Sequence, residues 1–320
     1  MDRRLIVLAG GMFAIGTDSF VVAGILPQVA GSLDVSVALA GQMVTLYALS
    51  YALLSPVLAA AAAHWPRKRL LLAGLAVFVL GNVITALAQS IGLVLASRLL
   101  AGLGAAMYSP TATAAGASLV PSEQRGRALA IIIAGLSSAT ALGAPFGTYL
   151  GGWLDWRATM WFVAGVGAVA GVGVWRLLPD IASPPALSLA RRLAPLADAR
   201  ILLTLLTTWL AYSGLFVVYT YVGVSFERAT GGDSQVLAGM LLLWGVAATV
   251  GNLAAGRLTD RFGSRRIITQ QSQIYATDGA SKNDRMRVRF FCSPRSCCST
   301  RISSFSPVRS GLRATPVRLR

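Results

Sequence analysis

Long apolar stretches alternate along this chain with short polar joints. A helix needs about 20 mostly apolar residues to cross the hydrocarbon layer of a bilayer. Eight stretches meet that requirement: roughly 5–27, 40–63, 70–89, 93–118, 127–149, 157–178, 200–224 and 235–258. Pro, Gly or charge marks the joints, as around Pro66, Ser90 and Pro121. The longest joint, 179–199, holds Pro179, Pro184, Pro185 and Pro195 with the basic pair Arg191 and Arg192, and is the expected linker between two bundles. Beyond about residue 267 no long apolar run returns, and the periodicity fits neither a span nor a strong amphipathic helix.

Composition gives the pattern its meaning. Charged residues make up 12% of the chain, against roughly 25% in an average globular protein. Apolar residues make up 55%, and the mean hydropathy is +0.65. So few charges cannot cover the surface of a soluble protein of 320 residues. The expectation is an all-α, multi-pass membrane protein; soluble enzyme folds, coiled coils and disulfide scaffolds are excluded. No G-x-S-x-G, H-E-x-x-H or P-loop pattern occurs, so no enzyme activity is expected.

The net charge of +16 suggests nucleic acid until its distribution is read. Residues 1–266 hold 18 Lys/Arg and ten Asp/Glu, net +8, while residues 267–320 hold ten and two, also net +8. Within the first part the basic residues fall on alternate joints. With the N-terminus in the cytoplasm, that side carries Arg3, Arg4, Arg67, Lys68, Arg69, Arg125, Arg127, Arg176, Arg191, Arg192, Arg200, Arg257, Arg261, Arg265 and Arg266. The outer side receives Arg157 and Arg228. This bias predicts cytoplasmic N- and C-terminal ends. Arg3 and Arg4 before an apolar run also suggest a signal peptide. The run is too long, however, and lacks a small-residue cleavage site, so the pair reads as topogenic charge.

The joint after the eighth stretch reads Gly256-Arg257-Leu258-Thr259-Asp260-Arg261-Phe262-Gly263-Ser264-Arg265-Arg266. It resembles the loop signature of the major facilitator superfamily, where one copy lies between helices two and three and another between eight and nine. Further matches are similar to the bacterial drug:proton antiporter branch: Gly16 to Phe20 through Leu26-Pro27 in the first helix, Arg98 to Gly102 in the fourth, and Arg125-Gly126-Arg127-Ala128 opening the fifth. Near 60–69 the chain reads Ala60 to Ala63, then His64-Trp65-Pro66-Arg67-Lys68-Arg69. This keeps the family's basic cluster without its Asp and Gly. The helix-five motif reads Gly143-Ala144-Pro145-Phe146-Gly147, with Ala144 where the family usually has Gly.

The resemblance covers residues 1–266 and implies a major-facilitator-type bundle driven by a proton gradient, without a cofactor. It implies proton-coupled efflux of small apolar or cationic compounds by a monomer in a bacterial inner membrane. The expected units are a six-helix bundle at 1–178, the linker at 179–199, two helices and the loop motif of a second bundle at 200–266, and a basic tail at 267–320. Twelve helices are implied, so the chain reads as truncated after the eighth, a form in which transport itself is doubtful. A membrane-embedded remnant without transport and a sugar or amino-acid exporter of the same superfamily are the alternatives.

Residue chemistry points to particular positions independently. Asp18 is the only acid inside the first six stretches, and a carboxylate there costs about 2.5–3.5 kcal/mol on insertion scales. Its position nine residues from the outer end of its stretch puts it roughly 14 Å deep at 1.5 Å per residue. Arg98, about six residues inside the outer end of the fourth stretch, lies roughly 9 Å deep. These depths allow the two to face one polar cavity and pair. Burial raises a carboxyl's pKa in general and a guanidinium lowers it, so a site between those effects suits proton exchange. A helix-packing hydrogen bond for Asp18 and snorkelling for Arg98 are the plainer alternatives.

Ala139, Gly143, Gly147 and Gly151 recur every four residues, a small-residue face that lets another helix approach closely. Pro145 on that segment is expected to bend the helix, serving packing or a hinge. Gln42, Tyr47, Tyr51, Tyr108, Trp209, Tyr212 and Asn252 are softer candidates for lining a substrate cavity, since membrane aromatics also serve packing and interfacial belts. His64, the lone histidine, reads as solvated or lipid-facing.

The tail carries nine serines, ten basic residues and all three cysteines, Cys292, Cys297 and Cys298, which lack metal-ligand spacing. A disrupted reading frame, a lipid-binding basic tail and nucleic-acid binding compete to explain it. No nucleic-acid partner is expected. Reading the other two frames downstream of codon 266 separates the first from the rest.

Overall fold

The computed structural model describes residues 3–62, 65–181 and 194–262, with side chains as far as residue 250. The linker residues 182–193, His64 and the tail from residue 263 lie outside the described residues. Contacts divide the chain into Met1–Leu258 and Thr259–Arg320; of the second unit only the helix end at 259–262 is described.

All eight apolar stretches are helical. They form α1 (Arg3–Ser32), α2 (Val37–Ala61), α3 (Arg67–Leu87), α4 (Ile91–Ser118), α5 (Arg125–Ser138) continued by α6 (Ala144–Trp153), α7 (Trp156–Leu177), α8 (Ala199–Thr220) and α11 (Ser234–Phe262). Two single turns, α9 (Val222–Ser225) and α10 (Glu227–Thr230), join α8 to α11. Among the described residues seven helical stretches are long and apolar enough to cross a membrane, and α11 adds the apolar segment Ser234–Val250.

Local chemistry fixes the ends. The Ser36 and Ser90 hydroxyls accept from the Leu39 and Leu93 amides at 3.2 and 3.4 Å, and Asp198 accepts from Arg200 at 2.8 Å. Each thereby satisfies an amide that its helix leaves unpaired. The turn into α11 passes through Gly231 and Gly232 at φ +62° and +78°, a region that glycine enters without steric cost.

Cross-links show which ends lie together. Arg67 donates from Nη1 to the Ala114 carbonyl at 2.6 Å and to Ser118 Oγ at 2.9 Å, and its amide donates to the Ile181 carbonyl at 3.1 Å. It therefore ties the start of α3 to the end of α4. At the opposite end Trp156 Nε1 donates to Ser32 Oγ at 2.7 Å, and Arg157 Nη2 donates to the Ala88 carbonyl at 3.0 Å. The helices thus run alternately up and down, with Arg67 marking one end of the bundle and Trp156 the other.

Helix packing rests on small residues. α3 and α4 meet at Gly74, Gly81 and Gly104; an added Cβ at Gly81 or Gly104 would strike backbone atoms of the facing helix, and one at Gly74 would press on Met107. The small face of the fifth stretch packs on α1: a Cβ at Gly143 would meet Thr17, one at Gly147 would meet Val21, and one at Gly151 would meet Ile25. Between α5 and α6 lies a feature beyond the expected proline bend, a π turn over Ala139–Gly143 in which the Ala144 amide reaches the Ala139 carbonyl. Pro145 has no N–H to give to the carbonyl four residues back, so the helix widens by one residue immediately before it.

Candidate functional site

Asp18 on α1 and Arg98 on α4 meet in the interior of the helix bundle. The guanidinium grips the carboxylate with both terminal nitrogens, Nη1 to Oδ1 at 2.8 Å and Nη2 to Oδ2 at 2.9 Å. Asp18 is 0% and Arg98 1% exposed, so Arg98 turns inward to the acid rather than along its helix to the interface. A bidentate pair of this kind combines charge with fixed orientation.

Three further side chains hold it. Asn82 on α3 accepts from Arg98 Nη1 at 3.3 Å while its own amide donates to the Phe78 carbonyl at 3.0 Å. The Tyr47 ring on α2 lies under the guanidinium, 4.7 Å from Cζ to ring centroid. Ser19 donates to the Ile15 carbonyl at 2.8 Å, and its Oγ lies 3.3 Å from the Tyr47 hydroxyl, within hydrogen-bonding distance. Four helices therefore contribute to one buried polar cluster. Arg98 Nε is buried without a hydrogen-bond partner among the described residues, an orphan donor inside the cluster.

Asn82 was detectable by the criterion that selects Gln42, a polar side chain inside an apolar span. Its place in the cluster, however, depends on which face of α3 meets α4. Of the other cavity candidates with described side chains, none hydrogen-bonds to Asp18 or Arg98. Tyr108 is fully buried between α4 and α1, donates to the Leu8 carbonyl at 3.1 Å and fills the space left by Gly11, which makes it a packing residue. Tyr51 is half-buried against the core, while Gln42, Trp209 and Tyr212 are exposed. Asn252, Gly256, Asp260 and Arg261 lie on α11 beyond its described side chains, and Gly263, Arg265 and Arg266 lie outside the described residues.

The segment of α1 just beyond Asp18 is also where α8 and its neighbours touch the first seven helices. Phe20 stacks on Phe216 with ring centroids 6.0 Å apart, and Tyr219 meets it edge-on at 5.6 Å. The Tyr219 hydroxyl donates to the Phe20 carbonyl at 3.1 Å, and Trp244 lies 5.0 Å from the Tyr219 ring. Farther along, Gln28 Nε2 donates to Ser234 Oγ at 3.0 Å. These contacts lie between the level of Asp18 and the Trp156 end. α8 is otherwise largely exposed, throughout 199–212 and again at Leu215, Val217 and Val218. Among the described residues no group of three or more His, Cys, Asp or Glu could hold a metal ion.

The family model of the Major Facilitator Superfamily matches residues 8–275. The chain belongs to the major facilitator superfamily. It is 34% identical over 258 residues to the uncharacterized MFS-type transporter YtbD of Bacillus subtilis, covering 80% of this chain and 65% of that protein. The inner membrane transport protein YdhP of Escherichia coli is 32% identical over 82% of this chain and 67% of its own length. A chloramphenicol resistance protein of Streptomyces lividans is 34% identical over 82% of this chain and 68% of its own length. The chain thus spans about two thirds of the length of these curated relatives. Among solved structures, a bacterial homologue of the human lysosomal transporter Spinster, in an inward-facing and unoccupied conformation, superposes with a TM-score of 0.65. It is 20% identical and covers 82% of this chain and 63% of that one, a likeness of fold. The superfamily consists of transporters, and this chain is a multi-pass membrane protein of it rather than an enzyme.

Proposed function

We propose that this major facilitator protein is a secondary transporter of the drug-efflux type, which exchanges protons for small apolar or cationic compounds across a bacterial inner membrane. The observation that carries the reading is the placement of the buried Asp18–Arg98 pair, two residues before the α1 segment that seals against α8 and α11. A proton taken up by Asp18 removes one charge of the pair and loosens the hold of Arg98 on α1. The same helix carries Phe20 and Gln28, so the protonation state bears directly on the contacts that close this end. With the arginine-rich face cytoplasmic, the contacts of Phe20 and Gln28 with α8 and α11 lie on the outer side of the pair. Alternating access in such folds rocks one bundle against the other around a midplane site, and this reading assigns the trigger for that movement to the pair.

Chloramphenicol is the first probe, because a relative bears resistance to it in its name. In vesicles holding the whole chain, Asp18→Asn is expected to lose proton-driven accumulation and to retain passive exchange. An Asp18→Asn chain that still accumulates the compound under an imposed proton gradient refutes the coupling, and a wild-type chain that moves nothing down a gradient refutes transport. A sugar is the second probe, since a Helicobacter pylori relative, 31% identical, is described as a probable sugar efflux transporter.

The closed end has its own check. With Cys292, Cys297 and Cys298 changed to Ser, the pair Gln28→Cys and Ser234→Cys is expected to link readily with a short thiol cross-linker and to stop exchange. Linking without effect on exchange would show that this contact does not open.

A further inference from the structure

At the Arg67 end of the N-terminal bundle a cavity of about 300 Å³ opens between α1, the turn after α4, and α5. That volume is at the lower bound of ordinary ligand sites. Leu5, Leu119, Val120 and Ile131 form its apolar wall, and Gln124 and Arg127 supply its polar side. The wall is partly a consequence of packing: Gly116 lets Ile132 and Leu5 come together where a Cβ would collide with Ile132, so α1, α4 and α5 converge behind the cavity. None of the groups described above uses this space. It is remote from Asp18, and its arginine is absent from the ion pairs among the described residues.

The chemistry of the lining selects the kind of occupant. An inorganic anion would gain from Arg127 and Gln124 and lose at the aliphatic wall; an uncharged hydrocarbon would leave the guanidinium unused. An amphipath with a negative head satisfies both sides. Basic residues outnumber acids in the immediate neighbourhood: Arg125 and Arg127 are exposed on the first turn of α5, and Arg3 is exposed on the first turn of α1. The nearby acid, Glu123, is engaged by the Ser122 hydroxyl at 2.6 Å and is not part of the lining. Basic pockets between membrane helices are suited to acidic headgroups at this depth. We propose that the cavity is a binding site for an anionic phospholipid of the arginine-bearing leaflet, with its phosphodiester on Arg127 and Gln124 and the start of an acyl chain against Leu5, Leu119, Val120 and Ile131.

The test is lipid binding to the purified whole chain, read by native mass spectrometry in detergent titrated with dioleoyl phosphatidylglycerol or dioleoyl phosphatidylcholine. Losing a charge-assisted phosphate contact predicts that Arg127→Gln binds phosphatidylglycerol about tenfold more weakly. Its phosphatidylcholine binding should not change. Val120→Trp keeps every charge and fills the apolar wall, so it should weaken phosphatidylglycerol binding by several-fold. Arg176→Gln makes the same charge change at the same end but outside the cavity, and should shift binding less than about twofold. Thermal melting of Arg127→Gln should match wild type, since this arginine is exposed. Three results would overturn the proposal. Arg127→Gln and Arg176→Gln could be equally weakened, which would indicate general attraction. Val120→Trp could bind as wild type. Inorganic phosphate could displace the lipid, which would make this a simple anion site.

Discussion

Asp18→Leu is expected to damage the fold more than Arg98→Leu, although the two residues form a single pair. Removing one partner of a buried ion pair costs about 3–5 kcal/mol, because the other charge stays buried and uncompensated. The two leftovers differ chemically. An arginine cannot shed its proton in a protein, so Asp18→Leu leaves a permanent cation whose remaining partners among the described residues are the Asn82 side-chain oxygen and the Tyr47 ring. A carboxyl can be neutralised by taking up a proton, so the deficit in Arg98→Leu should shrink as the pH is lowered, whereas that of Asp18→Leu should not. The double variant replaces the pair with apolar side chains and should melt closer to wild type than either single change. Melting of the purified variants in detergent, across a range of pH, measures all three. If the double variant shows the sum of the two single deficits, the side chains are not energetically coupled, and the pair is incidental.

How much of this was legible beforehand follows from what each feature depends on. Span length is set by bilayer thickness and needs no knowledge of neighbours, so each of the eight apolar stretches falls on a helix. Depth is equally one-dimensional: counting residues from the ends of α1 and α4 places Asp18 and Arg98 within reach of each other. The azimuth of a side chain around its helix is different. Asn82 reaches Arg98 because α3 and α4 approach at Gly81 and Gly104, and a single apolar span does not reveal which face meets which neighbour. Tyr108 illustrates the converse. An aromatic residue inside a span suits a cavity wall as well as a packing contact, and the vacancy at Gly11 on another helix decides for packing. The π turn at Ala139–Gly143 also needs more than Pro145. The proline forbids one hydrogen bond, but whether the helix kinks or widens depends on the close fit of Gly143 and Gly147 to α1. Exposed Trp209 and Tyr212 lie on α8, whose burial depends on neighbours that span length cannot specify.

The same dependence of chemistry on packing makes Gly104→Val the second large effect. Its Cβ would enter the space of the Phe78 amide and come 2.6 Å from the Gly74 carbonyl oxygen, and backbone cannot swing aside as a flexible side chain can. Overpacking a close-packed interior costs about 1–3 kcal/mol when the surroundings can yield, and membrane helices that associate through small residues have few other means of approach. α3 and α4 would have to separate, and that movement pulls Asn82 and its Phe78 anchor away from Arg98. Two readouts should therefore change together: the melting temperature should fall, and in variants combining Gly104→Val with Asn82→Leu the further loss from Asn82 should be small. Gly165, where an added Cβ would meet nothing within 4 Å, provides the comparison, and Gly165→Val should leave both readouts near wild type. Equal melting of the two glycine variants would mean that α3 and α4 do not rely on close backbone approach, and that Asn82 reaches Arg98 for some other reason.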